Sequence, residues 1–347
     1  MNRLSRTRDF GNDIIVVDGM WGAGKSAISG VIGSMERVEK KRINSIFEYV
    51  CVGRHLDKIS DDFAATLLST LADSLHYDTM IGREVNLRWA DDSGARDTLR
   101  RARYVRRLFT SDGDVVVSRI MRDNLAAHFV THEMLGISEP MFDTFGRRLH
   151  MIWITRHPMH MLTYFAAYLT RYDNVREFTM SIEVQGERVP WFGAPIADRW
   201  LTLSPTERAV YCLDHLYRLS WRHLDRSIPN TTRILTIQFE NFVVRPDLDM
   251  ASLASFLDRE HHPKVARLLR RARIPRPSAS SGGRTFSALA STSGARMHHE
   301  ERLAYRALLD DLNTSIGEET QATLQRLVAE YNERHPSDLA AFATEHG

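Results

Sequence analysis

Cysteine is scarce in this chain: Cys51 and Cys212 are the only two among 347 residues, and they stand in no metal-ligand spacing. A disulfide scaffold and a structural zinc site are thereby excluded, and a reducing compartment fits. Long apolar runs are missing too. The run Ile14–Val17 is far shorter than the ~20 residues of a membrane-spanning helix, and the preceding Met1–Asp13 is polar with no apolar signal core. Neither sign of charge dominates, since 46 basic residues face 44 acidic ones for a net +2. A balance of this kind does not describe a nucleic-acid binder. With 43% hydrophobic and 26% charged residues, the chain has ordinary globular composition and ample length for a core. The expectation is a soluble cytoplasmic protein folded as one domain over 1–347, with no membrane span.

Five short β-branched or aromatic runs read as strands: Ile14–Val17, Ile43–Val50, Val115–Val117, Met151–Ile154 and Ile234–Phe239. Helical patterns lie between them at Ser26–Val38, Asp61–Leu75, Leu99–Phe109, Asn124–Met134, Met159–Arg171 and Ser204–Arg226. Strands alternating with helices predict a parallel sheet covered on both faces, an α/β fold. Phe178–Phe192 alternates about a Gln185-Gly186 turn and reads as an inserted β-hairpin within 176–203. Residues 60–110 read as a helical insertion, 275–296 as a long Ser/Gly/Pro/Arg loop, and 297–347 as a helical C-terminal extension.

The strongest motif follows the first strand. Residues 19–26, Gly-Met-Trp-Gly-Ala-Gly-Lys-Ser, are a complete GxxxxGKS between a strand and a helix. Gly19, Gly22, Ala23 and Gly24 bring backbone N–H groups together on phosphate oxygens. The helix N-terminus adds partial positive charge and Lys25 a full one, while Ser26 ordinarily holds magnesium. The motif predicts phosphate binding and leaves open what is done with the phosphate. Lys25 is expected to be exposed and unpaired without a ligand.

From the fourth strand onward the chain resembles the sulfotransferase family. His150-Met-Ile-Trp-Ile-Thr-Arg-His-Pro158 is similar to the family's strand ending in Arg-Asp-Pro, with Arg156 in place and His157 where Asp is usual. Arg233–Pro246 is similar to the strand leading into its "YEDL…P" turn, Phe256-Leu257 to the short helix after that turn, and Gly282-Gly283-Arg284 to its basic glycine-containing loop. The resemblance implies a P-loop kinase-type fold and a sulfuryl group transferred from 3′-phosphoadenosine 5′-phosphosulfate (PAPS) to a hydroxyl acceptor, a small molecule or glycan. It implies that Arg156 and a hydroxyl on the next helix grip the 3′-phosphate. That hydroxyl falls on Thr163 or Tyr164, and Arg284 closes over the nucleotide.

The chain departs from the family at several points. The first loop carries Gly-Lys-Ser where Ser-Gly-Thr is usual, and the run at 115–119 lacks the Lys-Thr-His that supplies a base in one branch. Other branches use a carboxylate at the end of the second strand, where Glu48 stands. An ATP- and magnesium-dependent kinase is the alternative. It is favoured by Lys25-Ser26 and disfavoured because neither the run at 115–117 nor that at 151–154 ends in an acid, which leaves Asp18 as its best candidate. A nucleotide-binding switch without turnover is a third reading.

Arginines are dense between Arg83 and Arg107 and read mostly as a solvated helix face, with Arg83 and Arg88 flanking Trp89 as candidates for an anion wall. Trp191-Phe192 suits either sugar stacking or hairpin core. His157 and His160, with no third ligand, point to packing or capping rather than a metal.

Overall fold

The computed structural model describes residues 2–83, 98–110, 113–172, 177–226, 233–277 and 314–336, with isolated positions between them. Five parallel strands form the central sheet: β1 (Ile14–Asp18), β2 (Arg42–Ile43), β3 (Ala127–Val130), β4 (Leu149–Thr155) and β7 (Ile234–Gln238), in the order β2-β3-β1-β4-β7. Register runs Ile14↔Ala127 on one side of β1 and Ile14↔Leu149 on the other. The two-residue alternation of a strand divides the core. Ile14 and Val16 join Phe129, Met151 and Trp153 on one face, and Ile15 and Val17 join Ile152, Ile154 and Ile237 on the other.

The second face is covered by α1 (Lys25–Ile32), α9 (Phe239–Val244), α10 (Pro246–Leu257) and α11 (Ala266–Arg271). The first face carries α2 (Ile46–His55), α3 (Asp61–Met80), α6 (Glu139–Phe145), α7 (Pro158–Thr170), α8 (Pro205–Arg226) and α12 (Glu318–Arg334). At one edge lie α4 (Arg101–Arg107) and α5 (Asp114–Asp123). The hairpin is β5 (Ser181–Val184) against β6 (Glu187–Pro190), antiparallel, as the alternating pattern predicts. Trp191 and Phe192 after it are buried, so they are hairpin core. The parallel α/β fold expected from the sequence is the fold observed.

Two strand assignments are corrected. The run Ile43–Val50 contributes only Ile43 to a strand. The rest begins α2, whose Phe47, Val50 and Cys51 are buried at helical spacing, with Glu48 in its first turn. Val115–Val117 is likewise the start of α5, where Val116 and Ile120 face inward and Val115 is 70% exposed. The third strand is instead Ala127–Val130, inside the stretch 124–134 read as helix. Most of the loop 275–296, including Arg284, lies outside the described residues, as do Arg88, Trp89 and 297–311.

Candidate active site at the phosphate-binding loop

The loop 19–24 runs from the carboxyl end of β1 into α1, the edge at which open α/β sheets bind ligands. Its glycines are fixed by close approach. Gly24 has φ +89°, and a Cβ there would lie 2.1 Å from the Phe239 ring; a Cβ on Gly19 would lie 2.5 Å from the Ile154 carbonyl. Ser26 is exposed at the first turn of α1.

Lys25 is not exposed. It is 7% accessible, and its Nζ donates to the Gly19 carbonyl and, at 3.0 Å, to the Met20 carbonyl. A short loop wrapped over the first helical turn brings those carbonyls within reach, and a buried ammonium requires such partners. Burial pushes its pKa down, against the charges of Glu133, Asp18 and Glu48.

Asp18 is fully committed. Its carboxylate accepts from the Thr131 hydroxyl at 2.8 Å and from the backbone N–H groups of Met134 (3.1 Å) and Leu135 (2.8 Å). It holds the turn after β3 to the end of β1, and so is not the open acidic ligand a kinase would use there.

That turn supplies two residues the sequence reading passed over, His132 and Glu133. Once β3 is placed at 127–130, Thr131-His132 stands at the end of the third strand, where the resemblance calls for Thr-His, and an acid, Glu133, follows. The absence of both from the third strand was inferred from the wrong segment, 115–119. The signal that would have found them is a four-residue buried run, Ala127–Val130, ending in chemistry-bearing side chains.

Glu48 reaches the same place from α2. Its Oε1 accepts from the His132 backbone N–H at 2.9 Å and lies 3.1 Å from His132 Nδ1. An oxygen already accepting the backbone proton is best paired with an Nδ1–H, which leaves Nε2 with the lone pair. Burial, with Asp18 nearby, pushes the Glu48 carboxyl up to about 8; burial and Lys25 push His132 down to about 3. Trp21 of the loop stacks on His132 at 4.7 Å and on Tyr168 at 5.5 Å.

Arg156 leaves the end of β4 and donates to the Gly22 carbonyl at 2.8 Å. Its guanidinium lies 4.7 Å from the Phe239 ring centroid, and that of Arg276 lies 5.6 Å from the same ring. The Nε atoms of both are buried without a hydrogen-bond partner. Burial, then the Arg156 charge, lowers the pKa of Arg276. Two half-buried cations with unpartnered Nε donors thus share one aromatic ring beside the loop. Tyr164 stands against Gly22 and 5.9 Å from Arg156, whereas its neighbour Thr163 is exposed on α7. The side chain of His157 accepts from the Met159 N–H and caps α7. Of the basic cluster, Arg103 and Arg107 are drawn inward onto Glu39, whereas Arg101 and Arg106 are exposed as a solvated face requires; Arg83 is exposed and pairs with Asp78. Among the described residues, no group of three or more His, Cys, Asp or Glu side chains is placed to hold a metal ion, and no helix is long and apolar enough to cross a membrane.

No protein-family model and no curated protein sequence matches this chain. Among solved structures it is similar to the sulfotransferase domain from the curacin biosynthetic pathway, at 13% identity, covering 91% of this chain and 97% of that one with a TM-score of 0.42. A sulfotransferase from Mycobacterium avium matches at 14% identity over 94% and 78% of the two chains, TM-score 0.43. A mouse sulfotransferase complexed with PAP matches at 12% over 99% and 91%, TM-score 0.38.

Proposed function

We propose that the protein transfers a sulfuryl group from PAPS to a hydroxyl on a small-molecule or glycan acceptor. The observation that carries this reading is the pair of arginines on the Phe239 ring. Gly19–Ser26 suits the 5′-phosphate end of a nucleotide, and Arg156 with Arg276, whose Nε donors are unused, suits a further phosphate on the same ligand. When bound, the nucleotide supplies the sulfuryl group. In the transfer, the acceptor oxygen forms its bond to sulfur as the bond from sulfur to the nucleotide phosphate breaks. His132 Nε2 takes the acceptor's proton while Glu48 holds the ring by Nδ1. Lys25 neutralises charge gathering on the departing phosphate oxygen. Glu48 thus orients the base rather than touching the acceptor.

The direct test is nucleotide binding by Arg156→Ala. Affinity for 3′-phosphoadenosine 5′-phosphate should fall about tenfold or more, as expected for lost hydrogen bonds to a charged group, with adenosine 5′-phosphate little affected. Equal losses for the two nucleotides would remove the basis for the reading. A magnesium-dependent ATP kinase is the second reading, favoured by the intact Lys25-Ser26 pair; tighter binding of ATP with magnesium than of the 3′-phosphorylated nucleotide would select it.

A further inference from the structure

The loop holds a carboxyl group of its own chain. Glu133 Oε1 accepts the Trp21 backbone N–H at 2.7 Å, a donor of the loop built to receive phosphate. The Glu133 N–H in turn faces the Gly19 carbonyl at 3.4 Å, the same carbonyl that Lys25 Nζ engages. Glu133 is 8% accessible and has φ +51°, a left-handed conformation costly for a residue with a Cβ. That backbone turns the side chain back over the loop.

We propose that Glu133 is a built-in competitor for the phosphate-binding loop, seated on the Trp21 N–H beside Lys25 and displaced or neutralised when a nucleotide binds. The inference rests on the nucleotide-binding reading above and adds regulation to it. Lys25 from α1, Asp18 from β1, Glu48 from α2 and Tyr168 from α7 face Glu133, with His132 beside it in the chain. Asp18 is tied by its four hydrogen bonds, Glu48 is bonded to His132, and the Tyr168 hydroxyl is shared with Thr179 and Glu177. Lys25 and Glu133 are left as the two opposite charges at the loop, both bound to its backbone. Burial pushes Lys25 down and the Glu133 carboxyl up to about 8, so Glu133 gives up its proton in the range around pH 8. Phosphate oxygens at the loop require an ammonium at Lys25 and exclude a carboxylate at Glu133. The bound state therefore keeps both groups protonated. Binding takes up a proton, and affinity is highest at low pH and lost as pH rises through that range.

Calorimetric titration of the full chain with 3′-phosphoadenosine 5′-phosphate, at pH 6.5 and 8.5 in buffers of different ionisation enthalpy, tests this. The expected result at pH 8.5 is uptake of about one proton per nucleotide and affinity about tenfold weaker than at pH 6.5, the linkage of a single proton. Glu133→Gln should bind more tightly at pH 8.5 and lose most of the pH dependence. Absence of proton uptake by the wild type overturns the proposal. So does a folded Glu133→Gln variant with unchanged affinity and pH dependence, which would assign the proton to Lys25 alone. Should the variant not fold, proton uptake by Glu48→Gln, which lacks the other carboxyl raised to about 8, decides: retained uptake supports the proposal and lost uptake overturns it. If the nucleotide fails to bind while inorganic pyrophosphate binds with the expected uptake, the nucleotide reading fails and the competitor stands. If neither ligand binds either protein, both are overturned.

Discussion

His132 and Glu48 show how burial sets the chemistry available at the loop. His132 stays neutral because its buried ring lies next to Lys25, and the Glu48 carboxyl is raised to about 8 by burial and by Asp18. A neutral imidazole with Nδ1 held is suited to accept a proton at Nε2. Its strength as a base should increase when Glu48 becomes a carboxylate, since that favours the imidazolium formed during transfer. With an acceptor in hand, turnover should therefore rise with pH through about 8, the value to which Glu48 is raised. Glu48→Gln should keep nucleotide affinity, lose a factor of about 10²–10⁴ in turnover, the usual range for general-base assistance, and flatten the pH profile. Steady-state rates between pH 6 and 9 measure this. A variant with wild-type rate and profile would place Glu48 outside the chemistry.

At the scale of elements, the sheet edge next to β2 is held by a buried ionic network. Glu39, 2% accessible, accepts from Arg107 at 2.7 Å through both oxygens, from Arg103 at 2.8 Å and from the Tyr104 hydroxyl at 3.0 Å. This ties α4 to the segment that enters β2. Despite its burial, Glu39 is held down to about 2 by Arg107 and Arg103. A depressed carboxyl contributes its stability above its unfolded value and loses it as pH falls through the folded one. Here the loss runs from the ordinary carboxylate range down to about 2. Arg107→Ala should cost about 3–5 kcal/mol, because it leaves a buried charge without its main partner, and the acid-side loss should shrink. Urea unfolding against pH checks both, and a cost below about 1 kcal/mol, the value of an exposed pair, would contradict the account.

The elements also show what the sequence made legible. Ile14–Val17 and Met151–Ile154 are central strands buried on both faces and Ile234–Gln238 is the edge strand beside them, and their runs of β-branched residues match a covered sheet. Val115–Val117 has the same composition, yet only Val116 is buried, at helical spacing with Ile120. A run of three residues does not separate the two periods, and packing against Met80 and Leu125 decides. The strand–loop–helix turn at 19–24 was readable because Gly22 and Gly24 take the left-handed backbone that glycine favours. His132 and Glu133 were not, since their significance depends on β3 lying beside β1, a contact between residues more than a hundred positions apart. The inward turn of Lys25 depends in the same way on what covers it.

Across the whole molecule, four strand ends deliver the site to one edge: the loop after β1, His132 and Glu133 after β3, Arg156 after β4, and Phe239 after β7. Helix α12 braces this edge from behind. Tyr331 packs on His157 at 5.2 Å and on Tyr217 at 5.6 Å, and the Tyr217 hydroxyl donates to the Arg156 carbonyl. The loop at Gly24, Arg156 and Arg276 thus meet on the Phe239 ring. The central claim is that this edge takes an adenosine nucleotide phosphorylated at two places. Calorimetric titration of the wild-type protein at pH 6.5 with 3′-phosphoadenosine 5′-phosphate and with adenosine 5′-phosphate tests it most directly. The account predicts tighter binding of the first by about tenfold or more, the value of charge-assisted hydrogen bonds to one further phosphate; equal affinity for the two would contradict it.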